Sequence, residues 1–323
     1  MKVLCLIDYD KKSKNNFKRY LDKNIMVEFI SKNKLSSIKK YNDYDIVIGH
    51  RLDINYFKKF KNLKYYIIPF AGIPNKDKRN LRKLNDITLI NSHFNSLFVA
   101  EHAWALLLSL VKKVVSAHNN FKNGDWSYRY NDNQSSVLDS KNLLLAGYGA
   151  IGKKIEKFAK SFDMNTYAVR RKVSDKKYIY SNHEMKYILP KIDIIISSLP
   201  ATRETINFFS FKEFDLLKEG SYIINVGRGE VISQKALYSF MKNGKIKGAA
   251  IDTWWNYPQN KKSRKKTFPA DYPFNEFENF IFSPHRASHV ENIEKYRIQD
   301  LTRILNSIYE GKIINEVDIN RGY

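Results

Sequence analysis

The sequence predicts an α/β protein of two domains, each built on a parallel sheet, with the second domain inserted into a discontinuous first. Three observations predict it. The chain of 323 residues is too long for one ordinary core. Short β-rich runs alternate with amphipathic segments along its whole length. The last amphipathic segment lies beyond a second series of strands, where it can pack back on the first domain. The expected boundaries are 1–93 plus 290–323 for the first domain and 94–289 for the second.

Taken in order, "KVLCLI", "MVEFI", "DIVIGH", "KYYIIPF" and "TLIN" read as the strands of a smaller α/β domain ending near Asn91. The segment "SLFVAEHAWALLLSLVKKVVSAHNNF" has helical period throughout, with polar "NSHFNS" to cap it and Gly124 to end it, so one long helix is expected. The following "DWSYRYNDNQSSVLDS" has no periodicity and reads as an extended arm. Six further strands are expected at "KNLLLAG", "NTYAVR", "DIIISSL", "SYIINVG", "GAAIDTW" and "NFIFSP", the count of a Rossmann sheet. Finally, "HVENIEKYRIQDLTRILNSIYEGK" is helical by period and stops at Gly311.

Composition narrows the function classes. Lys and Arg number 56 against 33 Asp and Glu, a formal charge of +23. The cations are spread along the chain together with abundant Asn, Ile and Tyr, which reads as a composition bias rather than a nucleic-acid surface. The densest cluster, "KKSRKK" from Lys261, reads as a solvated loop that could draw in acidic substrates. The longest uncharged apolar run, "AWALLLSLV", falls well short of the roughly 20 residues that span a bilayer, so no membrane role is expected. The N-terminal apolar stretch runs straight into acids and reads as a strand, not a signal peptide. A single cysteine, Cys5, can form neither an internal disulfide nor a Cys-based metal site, which fits a reducing cytoplasm.

Chemistry first shows at "LLLAGYGAIGKKIEKF", where Gly147, Gly149 and Gly152 fall between a strand and a helix. The first glycine permits the turn, the second lets backbone approach a pyrophosphate, and the third allows close packing of helix on strand. Tyr148, Ala150 and Ile151 complete the loop, whose helix N-terminus suits phosphates. A dinucleotide is therefore the expected cofactor. The next strand ends in Arg170, Arg171 and Lys172, where an acid would mark NAD selectivity. Guanidinium groups there can hold a ribose 2'-phosphate, so NADP(H) is the expected form, with NAD(H) the alternative.

Ligands in such sheets gather beyond the carboxyl ends of the strands. Those ends read "SSLPATRET", with Leu199, Pro200 and Thr205; "NVGRGEVI", with Val226, Gly227 and Arg228; "IDTWWNYP", with Asp252; and "FSPHRASH", with His285. Arg228, in a tight turn, could hold a substrate carboxylate and polarise a neighbouring carbonyl, or could form a structural ion pair. His285 suits proton transfer near neutral pH. His289, four residues on, could complete an HxxxH pair, but no third ligand is evident and no metal is expected. The spacing of His50, His93, His102, His118 and His183 carries no reading.

Together, "FAGI" at Phe70, "VAEHAWALLLSL" at Val99, "GYGAIG", "LPATRETINF", "INVGRGEVI", "AAIDTWWNYP" and "PFNEFENFIFSPHRAS" resemble the D-isomer-specific 2-hydroxyacid dehydrogenase family over nearly the whole chain. The resemblance implies a flavodoxin-like substrate domain, an inserted cofactor domain, a cleft between them and a homodimer formed through the cofactor domains. It further implies that Arg228 binds the carboxylate and carbonyl of a 2-oxoacid and that His285 is the general acid/base. Ala71 and Gly72 then hold the carboxylate through backbone N–H groups, and Asp252 lies near the nicotinamide amide. Leu199, Pro200, Thr205, Val226 and Gly227 complete the implied cofactor site, which Arg228 and His285 also border.

One position departs from the family. Where its catalytic glutamate belongs, this chain has Tyr257. A phenol can orient His285 but cannot supply the anion that keeps the imidazole protonated, unless Glu276 or Glu278 does so instead. An NADP(H)-dependent reductase of glyoxylate- or hydroxypyruvate-type 2-oxoacids is expected. A formate-dehydrogenase-like relative and a non-catalytic dinucleotide sensor are the alternatives. Of Trp254 and Trp255, which can pack beside the cleft, at least one is expected in the core.

Overall fold

The computed structural model describes residues 1–84, 86–132, 134–171 and 178–321, and the chain falls into two compact units, Met1–Asn95 with Val290–Tyr323, and Ser96–His289. The first unit contains β1 (Lys2–Cys5), α1 (Lys11–Arg19), β2 (Met26–Phe29), β3 (Ile46–Ile48), α2 (Ile54–Phe57), β4 (Tyr65–Ile68), α3 (Asn75–Leu81) and β5 (Thr88–Asn91). Its five strands pair in the order β2-β1-β3-β4-β5, all parallel, which is the flavodoxin-like order. The central strands read as continuous apolar runs because helices cover both faces.

The second unit contains α4 (Ser96–Val111), α5 (Val114–Phe121), α6 (Ser127–Tyr130), β6 (Asn142–Ala146), α7 (Ala150–Lys160), β7 (Asn165–Val169), β8 (Ile179–Tyr180), β9 (Ile194–Ser197), α8 (Phe211–Leu216), β10 (Ser221–Asn225), α9 (Gln234–Lys242), β11 (Ile246–Ile251) and β12 (Phe280–Phe282). Seven parallel strands run β8-β7-β6-β9-β10-β11-β12, the doubly wound order with one strand beyond the classical six. The strand absent from the sequence expectation is β8. It has two residues, too few for a period, and it exists because Tyr178 and Tyr180 carbonyls accept the Ala168 and Arg170 amides.

The expected single long helix is instead two. Lys113 sits in the left-handed region at φ 56, and the Val111 carbonyl accepts the Ser136 amide at 2.9 Å. The following arm thus takes the acceptor that a continuing helix would have used, and two β-branched residues, Val114 and Val115, follow the break. That arm is not wholly extended, since it contains α6, just before which Asp125 accepts the Ser127 amide.

The final helix, α10 (Ile293–Tyr309), belongs to the first unit. Ile298, Leu301, Ile304, Leu305 and Ile308 recur at helical spacing and pack with Val3, Cys5, Phe17, Ile46 and Ile67. Each such buried aliphatic contributes about 1.5–3 kcal/mol. Cys5 is part of this core, and burial pushes its thiol up to about 12, so it stays protonated and inert. Among the described residues no helix is long and apolar enough to cross a membrane.

Candidate active site

The second unit's strand order turns back at β6 and β9, and the loops after these strands face each other there. Gly147 takes φ 94, and its amide donates to the Val169 carbonyl at 3.1 Å. A Cβ on Gly152 would lie 2.4 Å from the Gly147 carbonyl oxygen, so only glycine lets α7 approach the turn this closely. A Cβ on Gly149 would meet nothing within 4 Å, which leaves room beside the N-terminus of α7 for a pyrophosphate. The loop therefore fits a dinucleotide. Ala150 and Ile151 form the first turn of α7. Tyr148 points the other way, into the core, with its hydroxyl donating to Glu156 at 2.6 Å.

Arg170 is half-buried and Arg171 exposed at the end of β7, while Lys172 lies outside the described residues. Leu199 and Pro200 follow β9 and are half-buried. Thr205 is buried and closes its own loop, accepting the Thr202 amide at 2.8 Å and donating to the Pro200 carbonyl at 2.5 Å. After β10, Val226 and Gly227 are buried, and a Cβ on Gly227 would come within 2.4 Å of the Leu199 carbonyl oxygen. Asn225, buried at the end of β10, accepts the Gly227 amide at 3.1 Å and donates to the Arg228 carbonyl at 2.9 Å. It fixes the turn from which Arg228 reaches solvent. The sequence signal was an asparagine closing the apolar run "SYIIN" just before the turn.

Asp252 follows β11 and is 1 % exposed. Its Oδ1 accepts the Ser283 hydroxyl at 2.5 Å and the Arg286 amide at 2.9 Å, and its Oδ2 accepts the Ala287 amide at 3.3 Å. Burial alone would raise its pKa. Hydrogen bonds from His102, Ser283 and the Arg286 amide outweigh burial and hold the carboxyl below its usual range. Asp252 thus grips both sides of the turn that carries His285, a residue in the left-handed region at φ 52.

Tyr257 meets His285 directly, with Oη 2.8 Å from Nδ1. The Trp254 amide donates to the same phenol oxygen at 3.1 Å, which leaves the phenol proton free to point at the imidazole. Burial raises the Tyr257 pKa, keeping it neutral. Protein packed round the His285 ring lowers its pKa; Arg228 and His289 push the same way, and Asp252 opposes them. Arg228, Asp252, Tyr257 and His285 therefore share one electrostatic neighbourhood.

Neither candidate replacement acid reaches it. Glu276 accepts from Tyr238 at 2.6 Å and Glu278 accepts from Tyr128. The two tryptophans are structural: Trp254 donates to the Ser283 carbonyl at 2.7 Å and stacks on Phe282, while Trp255 donates to the Ile232 carbonyl at 2.8 Å and stacks on Phe274. No cluster of three or more metal-ligating side chains occurs among the described residues. Ala71 and Gly72 belong to the first unit, where Asn91 donates to the Ala71 carbonyl at 2.7 Å.

The NAD binding domain profile of the D-isomer specific 2-hydroxyacid dehydrogenases matches residues 104–287. The chain is 24 % identical over 287 residues to D-3-phosphoglycerate dehydrogenase of Methanocaldococcus jannaschii, covering 87 % of this chain and 52 % of that protein. It therefore spans about half the length of that relative. Against glyoxylate reductase of Pyrococcus furiosus it is 24 % identical over 287 residues, covering 85 % of this chain and 82 % of that one. Among solved structures, an acyclic imino acid reductase in complex with NADPH and D-Arg shares the fold, with TM-score 0.73 and 24 % identity over 98 % of this chain and 100 % of that one. The profile match spans more than half of the residues, and the chain belongs to the D-isomer-specific 2-hydroxyacid dehydrogenase family.

Proposed function

We propose that the protein is an NADP(H)-dependent reductase of small 2-oxoacids of the glyoxylate or hydroxypyruvate type. The observation that carries this reading is the placement of Tyr257, Asp252 and Arg228 about the His285 imidazole. Arg228, on a turn fixed by Asn225, would hold the substrate carboxylate and polarise the adjacent carbonyl. Asn91 braces the Ala71 carbonyl, and the family likeness assigns the backbone N–H groups of Ala71 and Gly72 to carboxylate binding. His285 would give a proton to the carbonyl oxygen as negative charge develops there, and in the reverse direction would take it back. Tyr257 holds Nδ1, so that Nε2 is the nitrogen left for the substrate. A bound nicotinamide supplies the hydride in reduction.

Support for NADP(H) is the basic end of β7, with Arg170 and Arg171 where an acid would repel a 2'-phosphate. The solved imino acid reductase was obtained with NADPH, which agrees with this preference.

The test is a panel of 2-oxoacids with both reduced cofactors, followed by Arg228→Ala and His285→Ala on the best pair. Turnover with NADPH is expected to exceed that with NADH, and each substitution should lower kcat/KM by about 10²–10⁴. A clear NADH preference sinks the cofactor assignment. A second reading, oxidation of formate, is favoured by Tyr257, because that reaction needs no proton relay; activity on formate but not on glyoxylate would establish it. Tight NADPH binding without any turnover would point to a sensor.

A further inference from the structure

His102 lies on α4, which packs against β10, β11 and β12, and its Nε2 is 2.8 Å from Ser283 Oγ and 3.4 Å from Asp252 Oδ1. The Ser283 hydroxyl spends its one proton on Asp252, so Ser283 Oγ accepts from His102, which carries its hydrogen on Nε2. A directed chain results, from imidazole to hydroxyl to buried carboxylate. The same carboxylate holds the amides of Arg286 and Ala287, immediately after His285.

We propose that His102 is a positioning residue for His285, acting through Ser283 and Asp252. The inference rests on the role proposed above for His285. Two effects make up the action. The first is geometric: His285 has a backbone conformation that a non-glycine residue holds only when its surroundings impose it, and Asp252 imposes it from a position that Ser283 and His102 fix. The second is electrostatic. Among the described residues, the charged and titrating groups acting on the His285 ring are Asp252, Arg228 and His289, with neutral Tyr257 bonded to Nδ1, and Asp252 is the anion of that set. Asp252 thus takes over part of what the absent glutamate would do. Through Ser283, His102 fixes where that carboxylate stands relative to the His285 turn, and so sets the strength of its field at the ring.

The test follows the His285 Cε1–H resonance by NMR from pH 5 to 9 in the wild type, His102→Gln and His102→Ala. Gln can still donate to Ser283 but lacks the fixed geometry of the ring. The His285 midpoint is expected to move by roughly half a pH unit in His102→Ala and by a smaller, measurable amount in His102→Gln, because each loosens the carboxylate that acts on the ring. In turnover, His102→Ala is expected to lose about tenfold in kcat with KM for the 2-oxoacid within about twofold, and His102→Gln should recover part of that loss. Superimposable His285 titrations in the wild type and His102→Gln would overturn the proposal, and this comparison stands even if His102→Ala does not fold. A shifted midpoint in a protein that turns over no 2-oxoacid would support the coupling and overturn the reductase reading instead.

Discussion

A phenol and a carboxylate at one address differ by a full charge, and at Tyr257 that difference should set the working pH of the proposed reaction. In the proposed reduction the protonated imidazole would be the active form, so activity should fall as pH rises through the His285 pKa. That pKa is already depressed by burial, with Arg228 and His289 adding to the effect. Tyr257→Glu should move the basic limb of the kcat/KM profile upward by about one pH unit, since an anion 2.8 Å from Nδ1 would favour the imidazolium. An unmoved basic limb would remove Tyr257 from the mechanism. At this scale the sequence was partly legible. Arg228, Asp252 and His285 could be named because each ends a strand. His102 could not, because its partner Ser283 comes beside it only when strands pair and α4 lies across them.

The cofactor loop divides two roles between two glycines of one element. Gly152→Ala drives a Cβ to 2.4 Å from a backbone carbonyl, so α7 must move away from β6. The expected cost is about 1–3 kcal/mol, with a lower Tm and weaker NADPH binding together. Gly149→Ala meets no protein atom, so Tm should hold while NADPH affinity drops. Thermal melts with fluorescence titration of NADPH separate the two, and equal losses of Tm would refute the division. The five strands of the first sheet, and six of the seven in the second, were visible as β-rich runs, the central ones most clearly, since a strand buried on both faces writes itself locally. The α4–α5 break was not, because the Ser136 amide in the following arm decides it.

For the whole molecule, the histidines act in concert. Burial lowers the pKa of His50, His93 and His285, so the unfolded chain takes up these protons more readily than the folded one. Their contribution to stability is complete above the ordinary histidine pKa of about 6.5 and is lost as pH falls through the depressed folded values. The urea midpoint at pH 5.5 should lie below that at pH 7.5; an equal or higher midpoint would contradict this linkage.

The passage of the chain from the first unit into the second and back also sets an order of assembly. Residues 96–289 leave the ribosome as one continuous piece with every strand of their sheet. The first ninety or so emerge earlier, yet lack the helix that covers Val3, Cys5 and Ile46. Until α10 is made, the residues before Asn95 are therefore expected to keep an open apolar face, while the inserted unit already has all it needs to fold. Chaperone demand during synthesis should fall on that first segment and ease when α10 arrives.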